Sequence, residues 1–195
     1  MKSRALVVAA LSLAVAGAFA QSPGAAASTQ RDVAQQTRIE SGLKDGSLSI
    51  REAGQLEKQQ AHIDRLQARD LKDGKLTAAE RTQLSAAQDK ASRNITADKH
   101  NAVTGNPDSA SSRRLQTDVA RNAAQEKRIT AGLQNGSLTK PEAAKLERGQ
   151  AAVDSKEAVA ASNGHVSRAE QRGIQRSENH QSKRIHHEKT DAQSR

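Results

Sequence analysis

Asp45-Gly46-Ser47-Leu48-Ser49-Ile50-Arg51-Glu52 is the stretch whose reading decides the fold. A Gly just past a helical run can adopt the left-handed backbone that closes a helix. The Asp before it tolerates the same region and bonds its own main chain. Ser49 with Glu52 three residues on makes a capping box, in which the hydroxyl accepts from the third helical amide and the carboxylate accepts from the cap amide. Stop and start signals stand back to back, so the stretch predicts a helix–turn–helix step. The step recurs from Asp73-Gly74 through Thr77 to Glu80, from Asn135-Gly136 through Thr139 to Glu142, and from Asn163-Gly164 through Ser167 to Glu170. Gly46, Gly74, Gly136 and Gly164 are therefore expected as turn residues, with Glu52, Glu80, Glu142 and Glu170 as cap partners. Pro141 falls two residues after Thr139, in a first turn where its missing amide hydrogen costs little.

Within each pair the steps lie 28 residues apart, and the pairs lie 90 apart. At that offset, residues 35–101 and 125–191 agree at 22 of 67 positions, which marks an internal duplication. Leu56-Glu57, Gln60-Ala61 and Asp64 return as Leu146-Glu147, Gln150-Ala151 and Asp154. The expected fold is all-α: two tandem three-helix units, residues 30–101 and 118–191, joined by a flexible linker at 102–117. Helices are expected at about 30–44, 49–71 and 77–99, and again at about 119–134, 139–161 and 167–190. The apolar stripes Ala53-Leu56-Ile63-Leu66 and Leu84-Ala87-Ala91-Ile95 have helical spacing. Residues 21–29, rich in Ala with Ser, Pro and Gly, read as a flexible leader.

The first twenty residues read as a signal peptide. Lys2 and Arg4 precede an apolar run from Ala5 to Ala16, and Ala18-Phe19-Ala20 is a small-x-small cleavage signal. With no Cys in the chain, no lipid attachment at the cleavage site is expected, and the mature protein should be periplasmic or secreted without a membrane span. The 195 residues hold 31 Lys and Arg against 22 Asp and Glu, and loss of Lys2 and Arg4 leaves the mature chain about seven charges positive. Phe19 is the only aromatic residue, so base-stacking platforms are lacking and no nucleic-acid partner is expected. Residues 31–101 hold twelve Leu, Ile or Val and residues 121–191 hold nine, so the second unit is expected to be the less stable.

The glycine turn resembles the second half of a calcium-binding EF-hand loop, with Gly at loop position six and Glu at twelve. Calcium also needs oxygens at positions one, three and five. Position one is Ser41, Arg69, Ala131 or Val159, and position three is Leu43, Leu71, Leu133 or Ala161. The turns therefore resemble EF-hand turns without metal. His180, His186 and His187 lie in the last helix and are the candidate metal ligands, because neutral imidazoles beside carboxylates take zinc, copper or nickel. Lys183 and Arg184 oppose such a site. No Gly-x-Ser-x-Gly elbow, His-Glu-x-x-His or phosphate loop is present, so no catalytic residues, no cofactor and no enzyme activity are expected. The remaining carboxylates read as solvated helix faces.

The motif order resembles a functionally unassigned group of secreted proteobacterial helical proteins built from tandem units. Their Gly-x-Leu-Thr-x-x-Glu corresponds to Gly74 to Glu80, and their Leu-Glu-x-x-Gln-x-x-Ile-Asp to Leu56-Glu57, Gln60 and Ile63-Asp64. Ser92, Ile95 and Lys99-His100 match the end of the unit, while Thr96 and His186 stand where the group often has an aromatic residue. The resemblance implies the helical fold and export but no activity. The leading functional expectation is a non-catalytic periplasmic interaction or envelope-stress module. The alternatives are weak divalent-metal binding or buffering through the C-terminal histidines, and adhesion to an anionic envelope surface. An envelope protein or an anionic surface is the expected partner.

Overall fold

A computed structural model describes residues 23–191, and the expected signal peptide lies outside the described residues. Six helices follow in order: α1 (Pro23–Asp45), α2 (Ile50–Asp70), α3 (Ala78–Lys99), α4 (Ala110–Asn135), α5 (Lys140–Ala161) and α6 (Arg168–Thr190). The fold is all-α, with no strand among the described residues. All four glycine turns form as the sequence predicts, with φ of 76°, 78°, 77° and 82° at Gly46, Gly74, Gly136 and Gly164. All four capping boxes close as well. Glu52 Oε2 accepts from the Ser49 amide at 2.9 Å, and Glu80, Glu142 and Glu170 do the same from Thr77, Thr139 and Ser167 at 2.7, 2.8 and 2.7 Å. Each turn's Asp or Asn accepts from the amide two residues on, at 2.8–3.0 Å.

Two helices start earlier than their sequence signals indicate. Residues 23–29, read as leader, form the first turns of α1, because Ala25 is buried against Leu71 and Leu76 and Thr29 Oγ1 accepts from Thr130 Oγ1 at 2.8 Å. Residues 110–117, read as linker, open α4 behind a Ser109 cap whose hydroxyl accepts from the Ser112 amide at 3.0 Å. The rest of the linker is docked: the Gly105 amide donates to Gly46 O at 2.8 Å, and Gln116 Nε2 donates to Leu43 O at 3.2 Å and Pro107 O at 2.9 Å. A Cβ on Gly105 would stand 2.3 Å from Leu48 O, so only glycine permits that approach.

Tertiary packing pairs α1 and α2 each with the equivalent helix of the other half. The two most extensive interfaces join α2 to α5 and α1 to α4, while α3 lies on α1 and α2, and α6 on α4 and α5. The two halves of the chain thus face one another along these interfaces. Equivalent residues meet there: Arg65 Nη1 donates to Ser155 Oγ, its counterpart 90 residues on, at 3.2 Å. Both large aliphatic clusters are shared between the halves. One gathers Ile39, Leu43 and Leu56 with Leu115, Val119 and Val153; the other gathers Ala25, Leu71 and Leu76 with Ile129, Leu133 and Leu146.

Candidate functional site

Between those two aliphatic clusters, the middle of the four-helix core is polar. Gln35, Gln36, Glu57, Gln60, Asp64 and Gln67 from the first half are all buried, as are Asn122, Gln125, Glu126, Glu147, Gln150, Asp154 and Glu157 from the second. Helical geometry accounts for the gathering. Glu57 and Asp64 lie seven residues apart on one face of α2, Glu147 and Asp154 repeat that spacing on α5, and α2 packs along α5. Two groups of three carboxylates result: Asp64, Glu126 and Glu147 in one, Glu57, Asp154 and Glu157 in the other. Within each group one oxygen per residue lies within 4.8 Å of the others.

The second group is partly held by amides. Asn122 Nδ2 donates to Asp154 Oδ1 at 2.8 Å and to Glu157 Oε2 at 2.7 Å, and Gln36 Nε2 donates to Glu57 Oε2 at 2.9 Å. Asp64 and Asp154, equivalent residues 90 positions apart, are neighbours whose like charges act on one another, and they join the two groups. In the first group both Glu147 oxygens lack a donor, as do Asp64 Oδ2 and the neighbouring Gln150 Oε1. Nearby Asp32 is better provided for, since its oxygens accept from Gln67 Nε2 at 2.5 Å and Gln88 Nε2 at 2.8 Å.

Electrostatics follow from what is missing around these groups. Eleven carboxylates are buried among the described residues, and no Lys, Arg or His is buried with them. Burial disfavours the charged form and like charges add to it. Asp64, Glu126, Glu147, Asp154 and Glu157 are pushed well above the carboxylate range by burial first and second by the charges of neighbouring carboxylates, Asp32 beside Glu126 and Glu57 beside Asp154 and Glu157 among them. Burial raises Glu57 to about 8 against the Gln36 hydrogen bond, and Asp32 to about 7.

Sequence reasoning placed these carboxylates on solvated faces. The legible signal was that Glu57, Gln60 and Asp64 recur without change as Glu147, Gln150 and Asp154. A polar stripe kept identical in both halves, beside an apolar stripe, has the pattern of an inward face. His180, His186 and His187 are exposed on α6, and neither buried carboxylate group includes them. A third acidic group, Glu142, Glu188 and Asp191, lies where α5 begins and α6 ends. Glu142 is already engaged in its cap there, and Lys145 Nζ stands 3.6 Å from Glu188.

The outside is the complement of the inside. Lys2, Arg4 and Arg195 lie outside the described residues, which leaves 28 Lys and Arg, none buried, facing only eleven unburied Asp and Glu. Two grooves concentrate the basic side chains. Lys156, Arg176, His180 and Arg184 line one of about 350 Å³ between α5 and α6. Arg51, Lys58 and Arg65 border another of about 440 Å³ between α2 and α5, whose apolar side holds Gly54, Ala158 and the exposed Val159.

Among the described residues, fold and surface together define an all-α arrangement of six helices with buried carboxylates and a basic exterior. No family model, curated protein or solved structure matches the chain.

Proposed function

We propose that this chain is a non-catalytic, exported helical module that binds an anionic surface of the cell envelope. The observation that carries the reading is the sorting of charge: half of the described carboxylates are buried, so the surface is far more basic than composition indicates. The aligned Arg51, Lys58 and Arg65, seven residues apart along α2, give that charge a continuous edge. Such a field attracts phosphate- or carboxylate-rich surfaces and is screened by salt. The signal-like segment Lys2 to Ala20 supports delivery to the envelope, and none of the described helices is long and apolar enough to cross a membrane.

Co-sedimentation with phospholipid vesicles tests the reading. Binding is expected to vesicles with anionic headgroups and not to zwitterionic ones, is lost at high salt, and is weakened by Arg51→Glu/Lys58→Glu/Arg65→Glu. Equal retention on both vesicle types, or salt-independent binding, would overturn it.

A further inference from the structure

The core carboxylates are arranged as ligands rather than as a polar filler. Oxygens from α2, α4 and α5 converge in the group Asp64, Glu126 and Glu147, and from α2 and α5 in the group Glu57, Asp154 and Glu157. Carboxylates projecting inward from facing helices are how bundles build metal centres. The acidity alone would not make a site. What points to a ligand is Glu147, which is fully buried with both oxygens lacking a donor, together with the unpartnered Gln150 Oε1 one turn further along α5. Fully buried polar atoms of this kind are costly unless something pairs with them.

We propose that the two carboxylate groups form a paired internal site for hard divalent cations of the calcium and manganese class, one ion at each group, bridged by the Asp64–Asp154 pair. The donor set selects that class. All candidate ligands are carboxylate or amide oxygens, which suit calcium, manganese and magnesium, whereas zinc and copper favour the imidazole and thiolate ligands lacking here. Magnesium is the weakest of the three candidates, because it gives up its waters reluctantly and this core holds the ligands in a closed interior. Charge also agrees: six carboxylates carry six negative charges, of which two divalent ions offset four. The two groups are unequal, since Asn122 and Gln36 already occupy oxygens of the second. The Glu147 group is therefore the tighter site. Because the ligands come from three helices closed over them, uptake accompanies folding rather than diffusion into the folded chain.

The site is independent of the surface binding proposed above and is tested without it. The mature chain is unfolded and refolded at mildly alkaline pH with Mn²⁺, Ca²⁺, Mg²⁺ or Zn²⁺, dialysed exhaustively, and assayed for bound metal and melting temperature. Two equivalents of Mn²⁺ or Ca²⁺ are expected to remain and to raise the melting temperature. Glu147→Gln should lose one equivalent, and Glu147→Gln/Glu57→Gln both. These substitutions keep side-chain volume and remove buried charge, so the metal-free fold is expected to melt no lower than wild type. No retained metal in the wild type, or an unchanged stoichiometry in Glu147→Gln, would overturn the proposal. Retention of Zn²⁺ alone, abolished by His186→Ala/His187→Ala, would overturn it in favour of the exposed histidines.

Discussion

At Gly54 the two halves are in close contact. A Cβ built there would stand 2.6 Å from the Ala161 Cβ and 3.3 Å from Ala158 O, so α2 rides directly on α5 at this point. Alanine is the better helix former by about 1 kcal/mol, yet the overlap must be relieved by moving one helix against the other. Overpacking of this kind typically costs about 1–3 kcal/mol. Gly54→Ala is therefore expected to destabilise the protein despite its propensity, measured as a lower urea midpoint at constant slope. A midpoint equal to or above wild type would mean that the α2–α5 interface is looser than described. The contrast with Gly46 and Gly136 is one of mechanism: those residues are needed for their left-handed backbone, Gly54 for the absence of a side chain.

Among the elements, α4 and α6 hold a second buried acidic pair with its own pH signature. Asp118 on α4 is raised to about 7 by burial, against a hydrogen bond from Gln171 and the charges of Arg121 and Arg114. Glu178 on α6 is raised to about 8 by burial and by the Asp118 charge, although Arg121 Nη1 stands 3.0 Å from its Oε2. Both groups bind protons more tightly in the folded chain than in the unfolded one. Their contribution is fully present below the unfolded carboxylate pKa near 4 and is lost as pH rises through about 7 to 8. The helix caps have the opposite sign. Backbone and hydroxyl hydrogen bonds from Thr77 lower Glu80, and the Ser167 hydroxyl and amide lower Glu170, so cap stability is present above the unfolded pKa and is lost as pH falls. Stability is thus expected to peak in mild acid. In chelator, the melting temperature should fall steadily from about pH 5 to about pH 9, followed by circular dichroism. A flat or rising profile would show that the acidic pair is not buried as described.

For the whole molecule, the shared clusters decide how it unfolds. The sequence divides into units with twelve and nine large aliphatics, which predicts a strong half and a weak half. In the structure both large aliphatic clusters draw residues from both halves, so neither half retains a complete core without the other. The full chain is therefore expected to melt in one transition, with calorimetric and van't Hoff enthalpies equal. Two resolved transitions would show that the halves are separate folding units.

Turn and cap residues were legible in the sequence because their partners lie two or three positions away, within reach of local backbone geometry. Ser49 with Glu52 and Thr139 with Glu142 determine helix starts wherever the chain goes next. The 90-residue repeat likewise determined that two similar halves exist. How the halves meet was a tertiary decision. Contacts of Ala25 with Leu71 and Leu76 and of Thr29 with Thr130 extended α1 past its local signals, and the pairing of α2 with α5 turned Glu57, Asp64, Glu147 and Asp154 inward. A carboxylate on a charged helix reads as solvated until another helix covers it. Whether one does depends on contacts made across 90 residues, which no local pattern contains.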